Sequence, residues 1–514
     1  MSDAKDRLSK SYIMKNMSLI SSSQIFCEIS SEKHKKTGIN LAIRQEKCIF
    51  VPDIHQEKCR NTFFIRQEKC RVLLDIRQQK CKKFMKRTVY KQLSEWKKSS
   101  NRKPLILNGA RQVGKTYILK DFGSREYSKM AFFSLDRDAK ARSVFEKNTD
   151  PKLIILALSA ICGVDITAGD TLIFLDEIQD CPSALTALKF FCEEANDYHI
   201  VVAGSLLGIS LHESVSFPVG KVDMLRLYPM SFCEFLMAMG KEQMAQLLID
   251  QQYAAITALR DSYIEFLRQY YFVGGMPEAV KSFAEEKAPN AVRKIQKQIL
   301  FDYQRDFSKH APVREVPRIN MVWNSIPSQL ARENKKFIYG AMKKGARATE
   351  FEIAIQWLLD AGLIYKVNRV KEPKMPLKFY EDISAFKLFM LDVGLMGAMA
   401  DTPADSILIG ENIFSEYKGA FSELFVHNEL VQLGIVPYYH SVDNSLIEID
   451  FVIQRGTNIL PIEVKAEQNV KSKSLKTFID KNPELKGIRF SMLDRMDQGW
   501  MTNIPLYDVM AILA

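Results

Sequence analysis

From residue 85 onward the apolar positions switch between two spacings. "TVYKQLSEWKK" (88–98) sets its apolar side chains at helical intervals, and the "PLIL" of 104–107 is a continuous apolar run of strand length. "YILKDFG" (117–123) returns to the helical spacing. Further strands are predicted at "MAFFSLD" (130–136), at Leu172–Leu175 and at "YHIVVAG" (198–204). "MLRLYPMSFCEFL" (224–236) reads as a strand, a Tyr-Pro turn and a helix. Strands alternating with helices predict an α/β fold with a doubly wound parallel sheet.

Beyond residue 231 the pattern becomes helical. "RDSYIEFLRQYYFV" and "NAVRKIQKQILFDYQRDF" carry Tyr, Phe and Leu stripes, which are read as core and not as a cofactor box. These helices, 231–316, are expected to form a lid. In 317–400 two helical patterns precede paired strands, the order of a winged-helix-like module; Lys343, Lys344, Arg347, Arg369 and Lys371 make it mildly basic. That charge fits either a solvated face or a DNA contact. Residues 410–514 form a last small α/β unit, and 85–230 the first.

Residues 1–84 differ in kind. "IRQEKC" at 43–48 returns as "IHQEKC", "IRQEKC" and "IRQQKC", each eleven residues further on. An eleven-residue period suits a right-handed helical supercoil, but the unit has no sustained apolar stripe. Its cysteine spacing is not a metal-ligand spacing. A tandem DNA repeat read through as protein is the third reading. The segment is expected to be a disordered extension, or foreign to a native chain that starts at Met85.

Charge divides the same way. The chain of 514 residues has a net charge of +11, yet residues 1–84 hold 18 Lys and Arg against 9 Asp and Glu, and the remainder 54 against 52. The basic balance therefore says little about the body of the protein. The nine cysteines form no CxxC pair, which argues against zinc, and their scatter fits a reducing cytoplasm. The longest apolar stretch, "LIILALSAICGV", is too short to span a membrane.

Candidate chemistry begins at Gly109-Ala110-Arg111-Gln112-Val113-Gly114-Lys115-Thr116, a full match to G-x-x-x-x-G-K-[ST] between a strand and a helix. The glycines let main-chain N–H groups face a phosphate, Lys115 reaches the β and γ oxygens of a nucleoside triphosphate, and Thr116 offers a hydroxyl to Mg²⁺. Asp176, at the end of the "LIFLD" strand, is the expected metal carboxylate and Glu177 the base for the attacking water. Ser205, after the next strand, either senses the γ-phosphate or caps a following helix. Together "LILNGARQVGKT", "LIFLDEIQD", "VVAGSLLG" and "LYPMSFCEFL" resemble bacterial and archaeal AAA-type ATPases with a C-terminal domain of unknown function, DUF4143. The likeness runs from Met85 to the C-terminus, and "FVGGMPEAV" (272–280) resembles that family's lid segment. The resemblance implies nucleotide and Mg²⁺ at Lys115, Thr116 and Asp176, and roles for Glu177 and Ser205 as base and sensor. Many relatives have Gly-Arg where this chain has Gly220-Lys221. Rings with trans-acting arginines are common in such enzymes, and Arg226 is the arginine nominated here.

A second motif closes the chain. An amphipathic helix at 419–434 carries Glu423; a hairpin then places Asp450 near Glu463, with Lys465 two residues on and on the same side as Glu463. This D…ExK arrangement provides oxygen ligands for a hard cation and a lysine beside the scissile phosphate. It resembles the PD-(D/E)XK nuclease fold, which implies Glu423, Asp450, Glu463 and Lys465 as a metal and catalytic set. Two functions are expected: an ATPase whose cycle controls a nuclease-like domain on DNA or RNA, or a nucleotide-dependent switch or scaffold that binds DNA or a protein partner without cleavage.

Overall fold

The computed structural model describes residues 86–205, 208, 217–332, 336–408, 418–442, 447–466 and 472–513. The repeat-bearing segment and the Met85 start lie outside them. The first sheet contains β1 (Leu105–Asn108), β2 (Lys129–Ser134), β3 (Thr171–Asp176), β4 (His199–Gly204) and β5 (Asp223–Arg226), in the order β2-β3-β4-β1-β5. Every pairing is parallel. β3 and β4 are buried along their whole length, as helices on both faces require. Helix Val89–Lys98 buries Val89, Leu93 and Trp96, the i, i+4, i+7 stripe that its spacing predicts.

Helices Phe232–Ala238, Arg260–Val273, Pro277–Glu286 and the long Pro289–His310 follow. The GGMP turn joins two of them and locks onto the Tyr-Pro-Met segment after β5. Met230 and Gly275 exchange main-chain contact, with the Met230 N–H donating to the Gly275 carbonyl at 2.6 Å. A Cβ on Gly275 would lie 2.2 Å from the Met230 carbonyl oxygen. Gly275→Ala is therefore expected to destabilise the fold by about 1–3 kcal/mol, read as a lower urea midpoint with an unchanged slope.

The second sheet has eight strands: β6 (Ile364–Val370), β7 (Glu381–Met390), β8 (Tyr438–Ser441), β9 (Glu448–Arg455), β10 (Asn458–Val464), β11 (Gly487–Ser491), β12 (Met496–Asp497) and β13 (Met501–Pro505). Their order is β12-β13-β11-β10-β9-β8-β6-β7. The two helices and paired strands expected in 317–400 are present as Val316–Leu330, Ala348–Asp360, β6 and β7. The hairpin is not a free wing, however. β6 pairs in parallel with β8 at Arg369↔Tyr439 and Val370↔His440. Residues Ala385–Met390 of β7 are all buried, and the Phe337 N–H caps its outer edge at the Phe386 carbonyl. Arg369 also leaves the expected basic face: it is buried against Asp382 at 2.6 Å.

Helix Lys418–Gln432 departs from the amphipathic pattern by being buried nearly all round. Phe425 meets Phe232, Tyr270 and Tyr271 edge-on, while His427 stacks on Phe389 of β7 at 4.5 Å. A helix wedged between helices and a sheet needs apolar groups on both sides. No helix among the described residues is long and apolar enough to cross a membrane.

Candidate functional site

Asn108 ends β1 and accepts the Gly109 N–H on its Oδ1 at 2.7 Å. The loop then passes through left-handed conformations at Gln112 (φ 64) and Gly114 (φ 95). Gly114 supplies the second at little steric cost. Helix Lys115–Glu126 starts there with no side-chain cap and no acidic residue in its first turn. Its first N–H groups are left for an anion. Beside them lies a cavity of about 560 Å³, lined by loop residues, Glu177 and Ser205, with Glu278 and Lys281 from helix Pro277–Glu286.

Lys115 folds back on its own loop, donating to the carbonyls of Gly109 at 2.9 Å and Ala110 at 2.8 Å. Burial pushes its ammonium down to about 8, while the charges of Glu177 and Asp176 oppose that fall. Thr116 Oγ1 donates to Asp176 Oδ2 at 2.9 Å. Burial raises the Asp176 carboxyl above its ordinary range, and the Thr116 hydrogen bond acts the other way. A hydroxyl and a carboxylate in contact at the phosphate loop form a donor set that fits Mg²⁺.

Glu177 holds a left-handed backbone conformation (φ 53), rare outside glycine. Its Oε2 accepts from Gln179 Nε2 at 2.6 Å and from the Ser205 hydroxyl at 3.2 Å. Ser205 in turn accepts from Arg111 Nε at 3.3 Å. The helix that Ser205 was alternatively expected to cap falls mostly outside the described residues.

Several partners were not visible in the motifs. Arg111 pairs with Asp306, and its carbonyl accepts from the Tyr303 hydroxyl at 2.9 Å. Gln112 Nε2 donates to Asp302 at 3.0 Å. All three partners stand on helix Pro289–His310. On the other flank Arg87 donates to the Val113 carbonyl at 3.0 Å and to Glu234 Oε2 at 2.9 Å. Arg226, the nominated trans-acting arginine, lies over the rings of Tyr228 and Tyr365, each centroid at 5.4 Å. Lys221 pairs with Glu193 at 2.8 Å.

At the C-terminal motif, β9 and β10 form the expected hairpin. Glu423 and Glu463 are buried, and Asp450 is half-buried. Glu463 Oε1 pairs with Lys465 at 2.8 Å, and Asp450 Oδ2 accepts the Val464 main-chain N–H at 2.8 Å. Lys387 of β7 is wholly buried and pairs with Glu448 at 2.5 Å. Among the described residues, no three His, Cys, Asp or Glu side chains come together as a metal-holding group. Lys465 and the Val464 N–H engage one oxygen each of Glu463 and Asp450, while the buried Oε2 of Glu463 has no hydrogen-bond partner, so the set keeps a carboxylate oxygen that a hard cation would take. Lys387 was missed by the sequence reading. Its signal was a single charge inside the apolar run "FKLFML", which a buried strand admits only with a counter-charge.

Comparison with known proteins gives three matching family models. Residues 101–236 match an AAA domain, 264–406 a domain of unknown function (DUF8612), and 418–507 a domain of unknown function (DUF4143). No curated protein matches the chain. Among solved structures, the Walker-type ATPase PABY2304 of Pyrococcus abyssi is similar over 62% of this chain and 96% of that one, at 12% identity and a TM-score of 0.39. The RuvB Holliday junction branch migration motor of Thermotoga maritima matches over 55% of this chain and 90% of its own, at 15% identity and a TM-score of 0.26. The Drosophila ORC bound to DNA matches over 61% and 94%, at 14% identity and a TM-score of 0.27. The phosphate-loop region is thus similar to an AAA domain, and the C-terminal region to DUF4143, by the models that match them.

Proposed function

We propose that the chain binds ATP in the cavity beside the phosphate loop and hydrolyses it, and that the cycle is relayed to regions that meet nucleic acid or a protein partner. The observation that carries this reading is the convergence of Lys115, Thr116 and the Ser205–Glu177 pair on one cavity, with Asp176 behind Thr116 and bonded to it. Thr116 and Asp176 would hold Mg²⁺, which when bound supplies positive charge to the phosphate oxygens. Lys115 exchanges two carbonyl partners for phosphate oxygens. Glu177 orients a water and accepts its proton on the carboxylate; Ser205 and Gln179 fix the direction of that carboxylate. Phosphate release by the purified chain tests the reading: Lys115→Ala should abolish both ATP binding and turnover, and unchanged turnover in that variant would refute it.

Ser205→Ala should slow turnover on the order of tenfold, below the effect of losing the base, with the ATP dissociation constant unchanged. A pH effect follows from the buried lysine. The free chain holds Lys115 protonated only below about 8, and a bound triphosphate requires the ammonium. ATP affinity should thus be flat below that pH and fall about tenfold per pH unit above it, measured by calorimetry in buffers of different ionisation heat.

The relay runs through helix Pro289–His310. Asp302, Tyr303 and Asp306 hold the phosphate loop, and Phe307 packs edge-on against Trp323 at 5.9 Å and Trp357 at 5.3 Å. A phosphate entering the loop competes with Asp306 for Arg111. For the C-terminal domain, Asp450, Glu463 and Lys465 stand at one end of the β9–β10 hairpin, and plasmid cleavage that is lost on Lys465→Ala would assign nuclease action to them, whereas nucleic-acid binding without cleavage would assign the domain a binding role. Exposed Lys343, Lys344, Arg347 and Lys371 remain as a basic surface for nucleic acid, and binding there should weaken steeply with salt.

A further inference from the structure

We propose that the guanidinium of Arg111 is a γ-phosphate contact of the candidate ATP site, and that the nucleotide-free chain stores it on Asp306 of helix Pro289–His310. This rests on the reading of the cavity as an ATP site and adds a group that tells ATP from ADP.

Two arginines line the cavity among the described residues, Arg87 and Arg111. Arg87 is committed to the fold: its side chain is 5% exposed and donates to Glu234 and to the carbonyls of Val113 and Tyr228. Arg111 is placed differently. Its side chain is 30% exposed, and its Nε donates to Ser205 Oγ at 3.3 Å. That hydroxyl donates to Glu177 Oε2 at 3.2 Å. The guanidinium thus stands one hydroxyl away from the carboxylate that would face the attacking water. A γ-phosphate in line with that water lies within the same space. At its other end Arg111 pairs with Asp306, whose side chain is 10% exposed. The cation is therefore neutralised while no phosphate is present, much as Lys115 is occupied by two carbonyls. The main chain of the loop does not depend on this ion pair. The Arg111 carbonyl accepts from the Tyr303 hydroxyl at 2.9 Å, and Gln112 Nε2 donates to Asp302 at 3.0 Å. The guanidinium can leave Asp306 while the loop keeps its place. Burial raises the Asp306 carboxyl above its ordinary range, and the charges of Arg111 and then Lys309 oppose that rise, so a counter-charge stays near the carboxylate after Arg111 has moved. A ligand that needs a stored group binds more weakly in proportion to how seldom that group is free.

Calorimetric titration of the full chain with ATP and with ADP tests this. Arg111→Ala should weaken ATP about tenfold relative to ADP, because one charged hydrogen bond to the third phosphate is lost. Asp306→Asn should tighten ATP about three- to tenfold, with a smaller change for ADP. Added to Arg111→Ala, Asp306→Asn should leave the ATP to ADP ratio unchanged, since Asp306 acts through the guanidinium. The inference is overturned if Arg111→Ala weakens both nucleotides alike. It is equally overturned if Asp306→Asn weakens ATP, or tightens it as much without Arg111 as with it, the result of merely removing a negative charge near a triphosphate. Should Asp306→Asn not fold, the comparison of ATP with ADP in Arg111→Ala decides alone. ATP binding and turnover that need Lys115 but not Arg111 would defeat this inference only; an unsubstituted chain that binds no ATP would defeat the reading of the site as well.

Discussion

Glu177→Gln is expected to lower ATP turnover by about 10²–10⁴-fold while leaving nucleotide affinity within a few-fold of wild type. The amide keeps the shape of the carboxylate and its place beside Ser205 and Gln179, but it cannot accept a proton from water. Binding depends on groups that this change leaves alone: Lys115, Thr116 and Asp176 sit on the loop and on the end of β3. Single-turnover phosphate release set beside calorimetric ATP titration separates the two quantities. Parallel losses in both would mean that Glu177 shapes the cavity and does not serve as the base. Its left-handed backbone makes the replacement neutral in strain, since glutamine meets the same conformational cost as glutamate.

Arg87→Ala should destabilise the chain by about 3–5 kcal/mol, the largest single stability effect foreseen here. Arg87 and Glu234 are an ion pair with side chains only 5% and 1% exposed. Glu234 also accepts from the Thr88 main-chain N–H at 2.6 Å, from the Thr88 hydroxyl at 2.8 Å and from the Ser231 N–H at 3.1 Å, completing a capping box on helix Phe232–Ala238. Truncating the arginine leaves a buried carboxylate without its counter-ion and frees the carbonyls of Val113 and Tyr228. Urea denaturation gives the loss directly. Removing both partners should cost less than the two single losses combined, which a double-mutant cycle would reveal. Additive losses would show that the pair is not coupled.

The parts of this architecture that were legible are those written in contiguous residues. The phosphate loop, the strand ending at Asp176-Glu177 and the hairpin of Asp450 and Glu463 each combine local spacing with one apolar run. What stayed hidden depends on pairings across long stretches of chain. Arg87 meets Glu234 at a separation of 147 residues, and Arg111 meets Asp306 at 195. No periodicity encodes such contacts, because each needs the whole fold to bring two surfaces together. Helix Lys418–Gln432 was read as one-faced because its buried Ser422, Glu423 and His427 look polar in the sequence; Ser422 is admitted by the Tyr271 hydroxyl and His427 by the Phe389 ring. The β6–β7 hairpin was assigned to its own module because sequence order separates it from β8 by helix Lys418–Gln432 and its flanking segments.

That hairpin's place in the sheet limits how the molecule can be taken apart. Cutting the chain near residue 400 would strip β6 of its neighbour β8 and leave a raw row of amide and carbonyl groups on each fragment. Pieces made at that seam would tend to self-associate. The same seam joins the strands that follow helices Val316–Leu330 and Ala348–Asp360 to the distal strands through the pairs Arg369↔Tyr439 and Val370↔His440, so neither part has a closed sheet without the other.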